Sequence, residues 1–318
     1  MPQHPSPRPS PVALHVATEK GPAPRLRTDT ALTRVRHGVY ANAVACAALA
    51  PWQRYLARVH AVALIRPDSV FCLESSAALL GLPFVGEPRD VHVFDADSPT
   101  SHRQGDIVLH TSRDARSVIS LGGISLTSSA DTVIDLMRVL PPGFALGVAD
   151  AAISPRQRGA HTIAELATLA SAQVARRGRR TLEWAWIRAD SRSESFGESV
   201  SRAVIEWLGF PPPTLQQVFH FEGVEDRCDF FWPEHSAIGE SDGYGKYDGA
   251  DVEQSRQRLI AEKVREDRLR RHIGGFARWD WSDALRATPL QHKLLTAGVP
   301  RVSASQPAML STLRAKPR

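Results

Sequence analysis

A chain of 318 residues can hold two or three domains and a sizeable core. Its 42% hydrophobic content is that of a globular protein, and no stretch approaches the roughly 18 apolar residues of a membrane span. A net charge of +5 fits a polyanion partner and gives weight to any cluster of arginines.

In chain order, residues 1–11 are rich in Pro and Ser, bury little and are expected to be disordered. They lack an apolar segment of the kind a secretory signal carries, so none is expected. A weak helix is predicted over Val12–Glu19 and a second over Thr28–Leu32, capped by Thr28 or Asp29. Thr33–Tyr40 alternates around Gly38 and reads as a strand and turn. A helix follows over 46–66, with Pro51 marking its first turn, and another over Leu73–Leu80, closed by Gly81 and Pro83. Strands are predicted at Val91–Phe94 and Ile107–His110, and a hairpin over Val118–Leu126 about Gly122-Gly123. Ser128 or Ser129 caps a helix Ala130–Leu140, which stops at Pro141-Pro142. Phe144–Ala152 and Thr162–Leu169 are further helices, the latter with the capping box Thr162/Glu165. Arg176, Arg177, Arg179 and Arg180 form a basic linker, a candidate phosphate contact. Cys46, Cys72 and Cys228 show no CxxC spacing and read as reduced, buried residues of a cytoplasmic protein.

The chemistry concentrates further on. Ser195–Glu198 opens a helix with Val200, Val204, Ile205 and Leu208 on its apolar face, ended by Gly209 and Pro211-Pro212-Pro213. Gln216 or Gln217 begins a strand. In the next strand Arg227, Asp229 and Phe231 alternate with Cys228, Phe230 and Trp232. Ile238–Asp242 is a third strand, so Glu240 and Asp242 share a face. Gly243 and Gly245 bend the chain before Lys246. Three carboxylates, Asp229, Glu240 and Asp242, converging beside a lysine are costly without a cation between them. Mg2+ (or Mn2+) is the simplest candidate, because it takes oxygen ligands and keeps waters. Val252–Ile273 is a long basic helix, Phe276–Trp281 a last strand, and Ser282 caps a closing helix to about Leu295. Residues 301–318 read as a flexible basic tail.

Over Ser193–Trp281 the order S-x-x-E (Ser195–Glu198), Gln216 or Gln217, D-F (Asp229–Phe230) and E-x-D-G (Glu240–Gly243) resembles the very-short-patch-repair-like endonuclease domains of the PD-(D/E)XK superfamily. The resemblance implies a restriction-endonuclease-like mixed sheet flanked by helices over 181–300. It implies Asp229 and Glu240 as magnesium ligands with the Ser241 carbonyl, and a water or metal contact from Glu198. The catalytic candidates are Asp229, Glu240, Asp242, Lys246, Glu198 and Gln217. The superfamily's lysine stands two after the glutamate, where this chain has Asp242, so Lys246 is taken to substitute from the turn. Upstream, Arg36-His37-Gly38-Val39-Tyr40, then Ser75–Ala78, Gly81–Pro83 and Thr127–Ser129 with Asp135-Leu136, resemble abortive-infection-type antitoxins. That implies a winged-helix-like lobe over 12–45, with Arg36 facing DNA, and an α+β middle domain over 46–180. The expected whole is a mixed α/β protein: a magnesium-dependent DNA endonuclease in defence or repair. The alternative is an antitoxin-like DNA-binding regulator with a non-catalytic nuclease-like domain and a toxin or other protein partner. No membrane partner is expected.

Overall fold

The computed structural model describes residues 6–17, 29–242 and 252–314. It is a mixed α+β structure with three sheets among the described residues. The chain divides into two compact units, residues 1–140 with 161–182, and residues 141–160 with 183–315. No helix among the described residues is long and apolar enough to cross a membrane.

The first unit opens on a three-stranded antiparallel sheet of order β1-β3-β2, with β1 His15–Val16, β2 Leu32–Arg36 and β3 Val39–Asn42. Of the helix expected over Val12–Glu19, the described part is not helical: His15–Val16 is a short strand and the residues before it are irregular. In place of the second expected helix, Asp29 accepts a hydrogen bond from the Ala31 amide (2.9 Å), a side-chain turn that leads into β2. Val39 and Ala41 are fully buried and Tyr40 packs inward. Residues 6–11 are not disordered: the Arg8 amide donates to Leu79 O (2.7 Å), and its guanidinium lies 4.0 Å over the Trp52 ring.

After α1 (Ala43–Ala47), capped by the Asn42 side chain, α2 (Pro51–Ile65) begins at the proline, which fits a first helical turn because its missing N–H is not needed there. A six-stranded mixed sheet follows, of order β6-β7-β5-β4-β9-β8. Its strands are β4 Val70–Phe71, β5 Val91–Phe94, β6 His102–Gln104, β7 Ile107–His110, β8 Val118–Leu121 and β9 Ile124–Thr127. Gly122 and Gly123, both at positive φ (54° and 83°), make the tight β8–β9 turn. Tyr55, Leu56, Val59 and Val62 of α2 pack on Phe71, Val91, Val93, Ile107 and Leu126. Helices α3 (Leu73–Leu80), α4 (Ser129–Val139, capped by Ser128) and α6 (Ile163–Ala172, with the Thr162/Glu165 box) complete this unit.

The second unit includes α5 (Pro142–Ile153), which the sequence had placed in the middle domain. It lies against α8 (Phe196–Trp207) at a distance only glycine permits: a Cβ on Gly147 would fall 2.4 Å from Phe196 ring carbons. Buried Asp150 of α5 ties the pair together, accepting from Arg202 (2.7 Å) and from the Asp190 amide (2.8 Å). Between them in sequence, α7 spans Arg179–Arg188. A four-stranded sheet of order β10-β11-β12-β13 follows, with β10 Thr214–Phe221, β11 Val224–Trp232, β12 Ala237–Ser241 and β13 Gly275–Trp279. The first two pairings are antiparallel and β12–β13 is parallel. The crossover between β12 and β13 contains α9 (Val252–His272), as a parallel connection requires.

The single closing helix expected after β13 is two, α10 (Trp281–Arg286) and α11 (Thr288–Thr296). Asp280, not Ser282, caps the first, and the break falls at Ala287 (φ 61°), just before Pro289, which cannot continue a helix. Residues 301–314 are not a free tail: Val302 and Gln306 amides donate to Gly209 and Trp207 carbonyls, α12 (Pro307–Ser311) follows, and Leu313 is buried.

Candidate active site

The site grows from the first turn of α8. Ser195 Oγ caps the helix by accepting from the Glu198 amide (3.2 Å). The reciprocal half of a capping box is missing. Glu198 Oε2 accepts instead from the Glu194 amide (2.9 Å) and from Gln216 Nε2 (2.9 Å), so this carboxylate faces the sheet. The same turn lies beside the end of β12: a Cβ on Gly197 would sit 3.7 Å from Ser241 Oγ.

Gln216, not Gln217, is the glutamine of the site. Gln216 has φ 55°, a left-handed conformation that costs a non-glycine residue about 1–2 kcal/mol and turns its side chain out of the strand's alternation towards Glu198. Gln217 bonds the neighbouring Val218 carbonyl (2.8 Å). Strand β11 is irregular at the facing position. Leu215 pairs with Phe230 and Gln217 with Cys228, which puts Asp229 opposite Gln216. Cys228 and Phe231, three residues apart, join one apolar cluster with Ile238 and Leu269, while Phe230 stacks on Trp279. The simple alternation predicted for β11 is thus broken at Asp229. Its Oδ2 accepts from the Ser241 amide (2.9 Å), which fixes the carboxylate over the end of β12.

Asp229 is the charge around which two other acids are arranged. Burial, then the Asp229 carboxylate, raises Glu198 from 4.5 to about 7. Burial, then Asp229, raises Glu240 from 4.5 to about 7, against a lowering pull from Arg265. Both glutamates thus hold their protons to well above the ordinary carboxylate range.

Asp242 does not join them. It is exposed, and Arg278 Nε holds its Oδ1 at 2.7 Å. The ion pair with Arg278, the β13 residue opposite Glu240, occupies Asp242 at the exposed end of the strand, and the predicted three-acid metal site is not assembled among the described residues. Among the described residues no three Asp, Glu, His or Cys side chains gather where one metal ion could be held. Two carboxylates remain on the paired strands β11 and β12, Asp229 and Glu240, near enough for the first to raise the second, and with backbone carbonyl and water they would be oxygen donors of the kind Mg2+ takes. Lys246 lies outside the described residues.

Arg265 of α9 was not singled out by sequence reasoning. Its Nη1 donates to Glu240 Oε1 (3.1 Å) and to Arg227 O (2.8 Å); Nε and Nη2 hold Glu262 at 3.0 and 2.7 Å. Arg227 in turn grips Glu194 through both terminal nitrogens (2.7 Å each), tying β11 to the segment that opens α8. The Glu262/Arg265 spacing of three was visible in the sequence. Which basic residue of α9 reaches the acids was not, because an arginine-rich helix has no sharp polar face.

The predicted phosphate contacts divide. Arg36 is taken by Asp106, gripped by Nε and Nη2 at 2.8–3.1 Å, with its side chain 12% exposed. This pair braces the first unit and engages the guanidinium that the resemblance would turn towards DNA. Arg176, Arg177, Arg179 and Arg180 are all exposed, around Gly178 and the start of α7. On α9, Arg268 pairs with Asp226, Arg270 with Glu266 and Arg271 with Glu222, so much of its basic surface is matched within the unit. The cysteines are free thiols, Cys72 and Cys228 buried and Cys46 half-buried. Comparison with protein-family models, with curated proteins and with solved structures finds no match for this chain.

Proposed function

We propose that the second unit carries a metal-dependent phosphodiester-hydrolysing site and that the protein is a DNA endonuclease using Mg2+ or Mn2+. The observation that carries the reading is a cluster: Glu198 and Glu240, both buried, gather about Asp229, whose charge adds to burial in disfavouring theirs, an arrangement a cation would relieve. Asp229 and Glu240 would hold the ion, which when bound polarises a phosphoryl oxygen and acidifies water. Glu198, raised towards the neutral range by burial and by Asp229, would serve as general base or acid, and Gln216 orients it through Oε2. Asp229 is kept in place by the Ser241 amide. The exposed arginines at 176, 177, 179 and 180 supply a surface for phosphate backbone. The test is conversion of supercoiled plasmid by the full chain with Mg2+ or Mn2+, which Asp229→Ala should abolish.

A second reading has its own support. Arg265 on Glu240 and Arg278 on Asp242 already neutralise the acids at the end of β12. A regulator that binds DNA, or a protein partner, without cutting would need no more. Wild-type protein that binds duplex DNA in a salt-dependent way yet leaves plasmid intact with either metal would select this reading.

A further inference from the structure

We propose that Arg265 is an exchangeable counter-ion for Glu240: it occupies the carboxylate in the metal-free protein, is displaced when a divalent cation binds, and is thereby delivered to a phosphate of the substrate. The proposal rests on the nuclease reading above and names the cationic group of that site. The geometry begins with what stands two residues after Glu240. That position holds Asp242, tied at 2.7 Å to Arg278. Arg278 also reaches Glu262 (3.2 Å), and Glu262 is held by Arg265, which ends the chain on Glu240. Five side chains of alternating charge therefore connect the two acids at the end of β12 through β13 and α9.

Within that chain the contacts of Arg265 are unequal. Its grip on Glu262 is two-pronged, at 3.0 and 2.7 Å, and its bond to the Arg227 carbonyl is 2.8 Å. Its bond to Glu240 is single and the longest of the four, at 3.1 Å. The planar fork of a guanidinium favours the paired contact, so Glu262 is the anchor and Glu240 the partner that yields. Helix rotation is fixed independently. Leu269, one turn beyond Arg265, is fully buried with Cys228 and Ile238, so this helix face stays on the sheet. Arg265 is 20% exposed, enough for its head group to meet a ligand without leaving the helix's footprint. A cation on Glu240 and the guanidinium would compete for one carboxylate, and displacement would leave Arg265 charged and anchored by Glu262 beside the carboxylate it has left. Glu262 is a positioning residue on this account.

The test uses the full chain and two readouts. Calorimetric titration with Mn2+ alone, without DNA, should show Arg265→Ala binding the ion about tenfold more tightly than wild type, because a competing charge has gone. Plasmid nicking by the same variant should fall about a hundredfold, the usual loss on removing one electrostatic group from a transition state. Arg265→Lys keeps the charge but loses the fork, and should show near-wild-type Mn2+ affinity with partial nicking. It also guards against an alanine variant that does not fold. Unchanged or weaker Mn2+ binding by Arg265→Ala overturns the exchange, and tighter Mn2+ binding with undiminished nicking overturns the delivery to phosphate. A wild type that never nicks, paired with tighter Mn2+ binding by Arg265→Ala, supports the exchange and removes the nuclease reading instead.

Discussion

Glu198→Gln should make the protein more stable at neutral pH, and the size of the gain follows from the site. The folded-state value of Glu198, about 7, lies above the ordinary 4.5, so between those values the folded form holds a proton that the unfolded form has released. Stability contributed by this group is complete below about 4.5 and is lost as pH rises through about 7. A shift of that size corresponds to about 3 kcal/mol at pH 8, an upper figure because Glu240 titrates in the same window. Glutamine keeps an oxygen for the Glu194 amide and Gln216 Nε2, and no longer carries the charge. Six of the seven tryptophans (184, 186, 207, 232, 279 and 281, all but Trp52) lie in the second unit, so urea denaturation followed by tryptophan fluorescence reports on it. With EDTA present, the difference between variant and wild type should be near zero at pH 4 and grow to as much as about 3 kcal/mol by pH 8. A variant less stable than wild type at pH 8, or a difference that does not change with pH, would show that Glu198 is a comfortably solvated cap and not a strained acid of a site.

Other outcomes follow from the same geometry. Gly147→Ala should destabilise the second unit by about 1–3 kcal/mol in the fluorescence assay, because the new methyl meets the Phe196 ring at 2.4 Å; an unchanged midpoint would mean the ring swings freely aside. Arg36→Ala should lower the stability of the first unit by about 1–3 kcal/mol, since it strips a gripped guanidinium from Asp106, and leave DNA affinity unaltered; a marked loss of binding would restore Arg36 as a DNA contact. Replacing Arg176, Arg177, Arg179 and Arg180 by alanine should weaken duplex binding at low salt and reduce the slope of log affinity against log salt by about 0.9 for each phosphate no longer neutralised. An identical slope in the variant would remove this cluster from the interface.

Much of the second unit could be read from the chain because its signals are local. The S-x-x-E turn, Gly209 with its prolines, and the acid-bearing strands each state their element within a few residues. The site was legible in its acids and illegible in their partners. Gln216 looks interchangeable with Gln217 until the backbone is seen at φ 55°. Asp242 shares the face of Glu240 as its spacing demands, but nothing adjacent in sequence announces that Arg278, 36 residues on, takes it. Arg265 is one of many arginines on α9 and is selected only by the burial of Leu269. In the first unit, His15–Val16 lies in a strand where a helix was expected because pairing with β3 outweighs the weak local helix propensity of so short a segment. Residues 6–11 and 301–314 misled because proline and basic residues suggest disorder, while backbone bonds to Leu79, Gly209 and Trp207 hold them. Segment 141–160 was assigned by its place in the chain, when Gly143 and Gly147 were the signs of a closely packed helix partner.

The most direct test of the central reading compares wild type, Asp229→Ala and Glu240→Gln in one experiment that follows binding and cutting together. Fluorescence anisotropy with a labelled duplex measures binding, and supercoiled plasmid measures cutting, each with Mg2+, with Mn2+ and with EDTA. The account predicts that wild type nicks only with metal, and that both variants bind the duplex about as well as wild type while nicking at least about a hundredfold more slowly. Nicking that persists in EDTA, or that survives Asp229→Ala, would contradict a metal-dependent site built on Asp229.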